Sequence, residues 1–150
     1  MMAQDTAQAL YDIEQIKQLK ARYFRFLDAK QWSEWRKCFA DDMHHYQHPD
    51  PQPRSTTGDQ FVANISRLLD GTTTVHHGHM PEIELTSPTT ARGVWAMFDW
   101  VDHNNTRTPE RTHQGYGHYF EEYVKGADGG WRIKRLQLKR IRVEWLNAKR

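Results

Sequence analysis

From about Thr6 to Asp28 the residues Leu10, Ile13, Ile16, Leu19, Tyr23 and Leu27 recur at steps of three and four among Glu, Gln, Lys and Arg. This spacing predicts one long amphipathic helix. Trp32, Trp35 and Phe39 keep helical spacing through Gln31–Phe39, so a short second helix is expected after a turn around Asp28–Lys30. A third stripe, Phe61, Val62, Ile65, Leu68 and Leu69, marks a helix in Gly58–Asp70. Between the second and third helices, His48-Pro-Asp-Pro-Gln-Pro-Arg54 must be loop, because proline removes the helical donor and clashes with the preceding turn. After Gly71 the period drops to two. Strands are expected at Thr72–His76, Glu82–Thr86, Ala91–Val101, Gly115–Lys125 and Trp131–Trp145, with Asp128-Gly129-Gly130 as a hairpin turn. Helices followed by four or five antiparallel strands make an α+β fold.

The last strand changes phase twice. Trp131 and Ile133 share one parity, Leu136 and Leu138 the other, and Ile141, Val143 and Trp145 return to the first. A one-residue slip moves a whole set of side chains to the opposite face, so two phase changes imply two bulges or sharp bends. Bulges curl a sheet. The expected architecture is a cone: a curled antiparallel sheet closed by three N-terminal helices around an apolar pocket.

A chain of 150 residues suits a single domain, taken here as 1–150. No window approaches eighteen consecutive apolar residues, so no membrane partner is expected. The stretch MMAQDTAQALYDIEQ has neither a basic nor an apolar leader region, which points to a cytoplasmic location. The lone Cys38 agrees, since it supplies neither a disulfide nor a thiolate metal cage. A formal charge of +2 does not argue for nucleic acid. Arg132, Lys134, Arg135, Lys139, Arg140 and Arg142 could form a nucleic-acid stripe, but no RNA-binding motif accompanies them, and they are read as solvating the outer face. Asn64-Ile-Ser66 and Asn104-Asn-Thr106 match the glycosylation sequon and, without a leader, are read as chance.

Six Trp, six Tyr, six Phe and nine His in a hydrophilic chain suggest either a metal site or an acid–base pocket. His77 and His79 sit two apart, as ligands sharing a strand face would, but no third ligand lies at a confirming distance and no metal is expected. Proton transfer needs less: one histidine oriented by one carboxylate is already a general base. Asp28 ends the first apolar stripe and His76 ends a strand. Each has a plain structural alternative, a turn former for Asp28 and a hydrogen-bonded strand histidine for His76. Tyr23 lies five residues before Asp28, roughly 140° around an ideal helix.

The segments IEQIKQLKARYFRFLDAKQW, TVHHGHMPEIEL, TTARGVWAMFDWV and GYGHYFEEYVKGADGGWRI are similar to successive landmarks of the SnoaL-like family in the nuclear transport factor two superfamily. Within it they most resemble the bile acid 7α-dehydratases, and more distantly the scytalone dehydratases and hexachlorocyclohexane dehydrochlorinases. The likeness runs from about Ile13 to Val143. It implies the same α+β cone and catalytic roles for Tyr23 and Asp28 in Y-F-R-x-L-D, for His76 at the head of H-x-G-H-x-P-E, and for Asp99 in the strand after T-T-A-x-G. The scytalone dehydratase pattern adds substrate-binding roles for Tyr46 and His103.

The expected activity is a cofactor-independent lyase or isomerase with a His76–Asp28 general base. Its ligand would be a small, apolar, ring-containing molecule such as a steroid, terpenoid or polyketide. Tyr23 would bond the developing oxyanion, and Asp99 would hold a polar contact or return a proton. Two other classes stay open: a non-catalytic ligand-binding or assembly module like an oxygenase small subunit, and a basic-strand interaction protein that binds nucleic acid or an acidic partner. The sheet's outer Trp, Leu and Val residues suggest a homodimer or homotrimer.

Overall fold

A computed structural model describes residues 5–147; the first four residues of the N-terminal stretch read above and the last three of the chain lie outside it. Helix α1 (Thr6–Asp28) starts at Asp5, whose carboxylate accepts the Ala7 N–H, 3.3 Å. Its buried stripe is Asp12, Ile16, Leu19, Lys20, Tyr23 and Leu27. Removing Ile16, Leu19 and Leu27 from water contributes about 1.5–3 kcal/mol each. Leu10, expected on this stripe, is exposed. The helix stops in a Schellman motif. The Lys30 and Gln31 N–H groups bond back to the carbonyls of Leu27 and Phe26, with Lys30 at φ 56° in the left-handed conformation that glycine usually takes. Asp28 is thereby fixed as the last helical residue.

Helix α2 (Trp32–Arg36) is shorter than the spacing predicts, because Phe39 opens a strand instead. That strand, β1 (Phe39–Gln47), was not expected. Asp41, Asp42, His44 and His45 break the apolar alternation by which a strand is read. It pairs with a short β2 (Pro53–Ser55) within the proline-rich segment. Helix α3 (Gly58–Leu68) follows, capped by the Thr57 hydroxyl on the Gln60 N–H, 3.1 Å.

The remaining strands are β3 (Thr73–Ser87), β4 (Thr90–Asp102), β5 (His113–Lys125) and β6 (Trp131–Trp145). The two strand segments expected around HHGHMP are one strand, irregular between His79 and Glu82. All six strands form a sheet ordered β2-β1-β6-β5-β4-β3. It is mixed rather than wholly antiparallel, since β1 runs parallel to β6. The fold is α+β, with the helices packed on the sheet.

Both expected irregularities of β6 are present. Pairing with β5 steps from Ile133 to Arg135 across one partner residue, and again from Arg140 to Arg142, leaving Lys134 and Ile141 as the extra residues. They curl the sheet over the helices. Gly117 allows the close approach at the second bulge: a Cβ there would lie 2.1 Å from the Lys139 carbonyl oxygen.

Candidate active site

Between α1, α2, α3 and the inner sheet face lies a cavity of about 330 Å³. Its apolar wall comes from Leu27, Trp35, Phe61, Ile65, Leu69, Val101, Leu136 and Leu138. The exposed lining residues Gln47, His48, Leu68 and Arg111 place its mouth between the end of β1, the end of α3 and the short 3-10 turn.

His76 stands on the inward parity of β3 and is 8% exposed. Its Nδ1 is 2.7 Å from Asp28 Oδ1, and its backbone N–H donates to Asp28 Oδ2, 2.9 Å. The Thr74 hydroxyl donates to Asp28 Oδ1, 2.9 Å, and accepts from Lys30 Nζ, 2.8 Å. A carboxylate can only accept, so Nδ1 carries a proton, and in the neutral ring Nε2 is the atom with the free lone pair. The ring lies near parallel to Phe24, at 6.5 Å between centroids. Asp28 itself does not line the cavity. Its 140° offset from Tyr23 therefore needs no wide pocket, because His76 carries its influence inward.

On the other side of His76, Nε2 is 4.0 Å from Asp99 Oδ2. Asp99 is nearly buried on β4 and bonds Arg140 of β6 through both oxygens, 2.9 and 2.7 Å. Burial pushes the Asp99 carboxyl upward, but the Arg140 hydrogen bonds and charge outweigh it, so the group titrates below its ordinary value of 3.8. An ionised, doubly bonded carboxylate has no proton to return. The polar-contact role is the one that this geometry supports. The depressed value gives stability that is complete above the unfolded-state value and is lost as pH falls through the folded one. The difference in unfolding free energy between wild type and Asp99→Asn, from urea titrations, is expected to be constant near neutrality and to shrink below about pH 4. A difference that grows on acidification would contradict the assignment.

Arg140 is a correction to the sequence reading, which placed all six basic residues of β6 on the outer face. It shares parity with Leu136 and Leu138 and turns inward; that parity was the available signal. Gly115 makes the room, since a Cβ there would lie 1.7 Å from Arg140 Nη1 and 2.3 Å from Asp99 Oδ1. Gly115→Ala is expected to keep the fold, because the flexible guanidinium can move aside, but to break the pair. Activity should fall by about 10²-fold, the scale of an ångström's misplacement. Unaltered kinetics would separate the pair from the chemistry.

Tyr23, Tyr46 and His103 all line the cavity with His76 and Asp99. Tyr23 is buried, and burial holds its phenol well above the usual range, so it stays a neutral donor. Tyr46 is held by the Arg135 guanidinium, 4.4 Å over its ring. His103 is lowered by burial and then by the nearby Arg111 and His113, so it is neutral near pH 7. His45, His48, His113 and Tyr119 also line the cavity, although none was a sequence candidate. Burial and Arg54 push His45 down to about 4. His77 and His79 meet edge to face, 5.7 Å between ring centroids, away from the cavity. Among the described residues no group of three or more His, Cys, Asp or Glu side chains is arranged to hold a metal ion, and no helix is long and apolar enough to cross a membrane.

Behind Tyr23 lies a second polar element that the sequence reading missed. Lys20 is fully buried, ion-paired with Glu121 of β5, and packed over the Tyr23 and Tyr119 rings at 3.8 and 3.9 Å. Glu121 also accepts from the Tyr123 hydroxyl, 2.5 Å, which in turn accepts from Trp95 Nε1, 2.9 Å. The signal was there: Lys20 lies four residues after Ile16 and three before Tyr23, and Glu121 lies between Tyr119 and Tyr123 on the inward parity.

N-terminal helices packed on a six-stranded, mostly antiparallel sheet make this a nuclear transport factor two-like α+β fold. The chain belongs to the SnoaL-like family, whose sequence profile matches residues 8–137. Among solved structures, a candidate scytalone dehydratase from Novosphingobium aromaticivorans superposes with a TM-score of 0.82 at 21% identity, over 97% of this chain and 94% of that one. A type 2 hexachlorocyclohexane dehydrochlorinase gives 0.80 at 15% identity, over 97% and 95%. The type 3 enzyme from Novosphingobium barchaimii gives 0.75 at 15%, over 97% of both chains. These likenesses establish the fold.

Proposed function

We propose that this protein is a lyase or isomerase of the dehydratase kind, using His–Asp acid–base chemistry without a cofactor on an apolar, ring-containing substrate such as a steroid, terpenoid or polyketide. The observation that carries this reading is His76, locked by Asp28 through Nδ1 and presenting Nε2 beside the Asp99–Arg140 pair. In the forward step Nε2 takes a proton from the carbon next to a substrate carbonyl, and the electron pair moves into an enolate. Tyr23 and Arg140 are the donors for the enolate oxygen, or for the leaving oxygen. The imidazolium sits between two carboxylates, Asp28 and Asp99, which favour its charge. It then gives the same proton to the departing hydroxyl, so water leaves and a carbon–carbon double bond remains. The positioned base supplies about 10²–10⁴-fold, and fixed donors at the oxyanion add a further large factor.

The structural neighbours named for eliminations support the reaction type. The motif resemblance to bile acid 7α-dehydratase supports a fused-ring substrate. The test is to incubate the protein with bicyclic β-hydroxy ketones in D₂O. Enone absorbance is the expected result, with deuterium at the carbon next to the carbonyl of unconverted ketol whenever the imidazolium exchanges with solvent and reprotonates the enolate before water leaves. Tight binding of these compounds with neither exchange nor enone would overturn the catalytic reading and leave a binding module.

A further inference from the structure

The proposed reaction leaves one polar group of the cavity wall unused, the imidazole of His45. It stands on the inward parity of β1, paired with Leu136 of β6, and it lines the cavity. Phe61 of α3 packs against the ring at 4.6 Å between centroids. Neither ring nitrogen is hydrogen-bonded to any of the described residues. Neither is sealed off, because the one fully buried side-chain polar atom without a partner among those residues belongs to Trp35. Both nitrogens therefore keep accessible surface, on a half-buried ring whose inward face is cavity wall.

Burial and the nearby Arg54 keep this ring neutral near pH 7. A neutral imidazole carries one N–H and one lone pair, so it can give a hydrogen bond and accept one. Its place in the sheet matters as much as its chemistry. His76 projects from β3 and His45 from β1, with β4, β5 and β6 between them in the strand order. The cavity therefore has a polar group at each end of its sheet wall, and Leu136 and Leu138 of β6 line the span between.

We infer that His45 is a specificity-determining residue, and that the ligand is a ring compound carrying a hydroxyl group at the end seated against β1, remote from the carbon that His76 deprotonates. The inference rests on the cavity being the substrate site. It adds a second polar requirement, distinct from the oxygen that Tyr23 and Arg140 serve. A hydroxyl, like the neutral imidazole, both donates and accepts, so the two match in either orientation. A ligand that fills the cavity without a polar atom at this end strips solvent from the ring nitrogens and leaves them unpaired, which a site of this kind discriminates against.

The test uses 1-tetralone and 6-hydroxy-1-tetralone, which differ by one hydroxyl at the end opposite the carbonyl and have no group to eliminate. Wild type near pH 7 should bind the hydroxylated ketone about tenfold more tightly, the scale of one hydrogen bond. His45→Phe keeps a ring against Phe61 and should bind both ketones alike, whereas His45→Gln, which still offers a donor and an acceptor, should keep part of the preference. In wild-type protein, nuclear Overhauser contacts should join the His45 ring protons, assigned from His45→Gln, to the ligand hydrogens flanking the hydroxyl. Contacts to the carbonyl end instead, or none, would overturn the inference, as would an unchanged preference in His45→Phe. If neither ketone binds wild type, it falls together with the reading of the cavity as the ligand site. His76→Ala is the control: it should keep both the preference and the contacts, so failure of the catalytic reading and failure of this one are read separately.

Discussion

His76→Ala is expected to lower turnover of a ring ketol by at least 10²-fold, toward the roughly 10⁴-fold limit of a positioned base, with the unfolding transition little changed. The ring bonds to Asp28 at the edge of the core, so its loss removes no fully buried apolar contact. Asp28→Asn should be nearly as damaging while conserving volume. A neutral amide no longer favours the imidazolium, and its NH₂ can donate to Nδ1 and so select the wrong tautomer. Added imidazole should restore part of the activity of His76→Ala and none of that of Asp28→Asn. Steady-state rates with circular dichroism on the same samples decide the matter, and near-normal rates in either variant would remove the dyad from the mechanism.

The second large effect is on stability. Lys20 and Glu121 both have side chains 0% exposed, and burial pulls the lysine down against the opposing pull of Glu121. Glu121→Gln leaves an ammonium group in the core without a counter-charge, which costs about 3–5 kcal/mol. The double variant Lys20→Met with Glu121→Gln removes both charges and should recover most of that loss, since a buried pair often does little better than apolar residues of similar size. Urea unfolding of the four proteins in the cycle measures it. Additive losses would mean that the two residues act independently. Because Lys20 packs over Tyr23 and Tyr119, the double variant also reports whether the charge beneath the tyrosines matters to the chemistry above them.

Much of this was legible in the chain because burial follows period. Ile16, Leu19, Tyr23 and Leu27 fall where their spacing puts them, and the phase slips in Trp131–Trp145 mark the two bulges of β6. Legibility failed where polar residues took apolar positions. Asp12 and Lys20 occupy the inward stripe of α1, and Arg140 the inward parity of β6, each balanced by a partner distant in sequence: Lys125 and Trp131 for Asp12, Glu121 for Lys20 and Asp99 for Arg140. Spacing shows the slot; only the fold shows the partner. Strand β1 was hidden for a related reason. Arg36 anchors Asp41 and Lys134 anchors Asp42, so those charges report neighbours rather than a loop. For the site, residue spacing offered His76, Asp28 and Tyr23 as candidates, and family likeness added Asp99, Tyr46 and His103. The structure gathers five of the six at one cavity, with Asp28 behind His76.

The two additional residues of β6 have a consequence for how such a pocket diverges. Curvature here is written as chain length, one residue at Lys134 and one at Ile141, rather than as the chemistry of any lining side chain. Two relatives could keep every wall residue and still accept differently shaped ligands if one of them lacked either insertion. In this architecture a single-codon deletion is a change of mould, and comparing relatives by substitutions alone would overlook it.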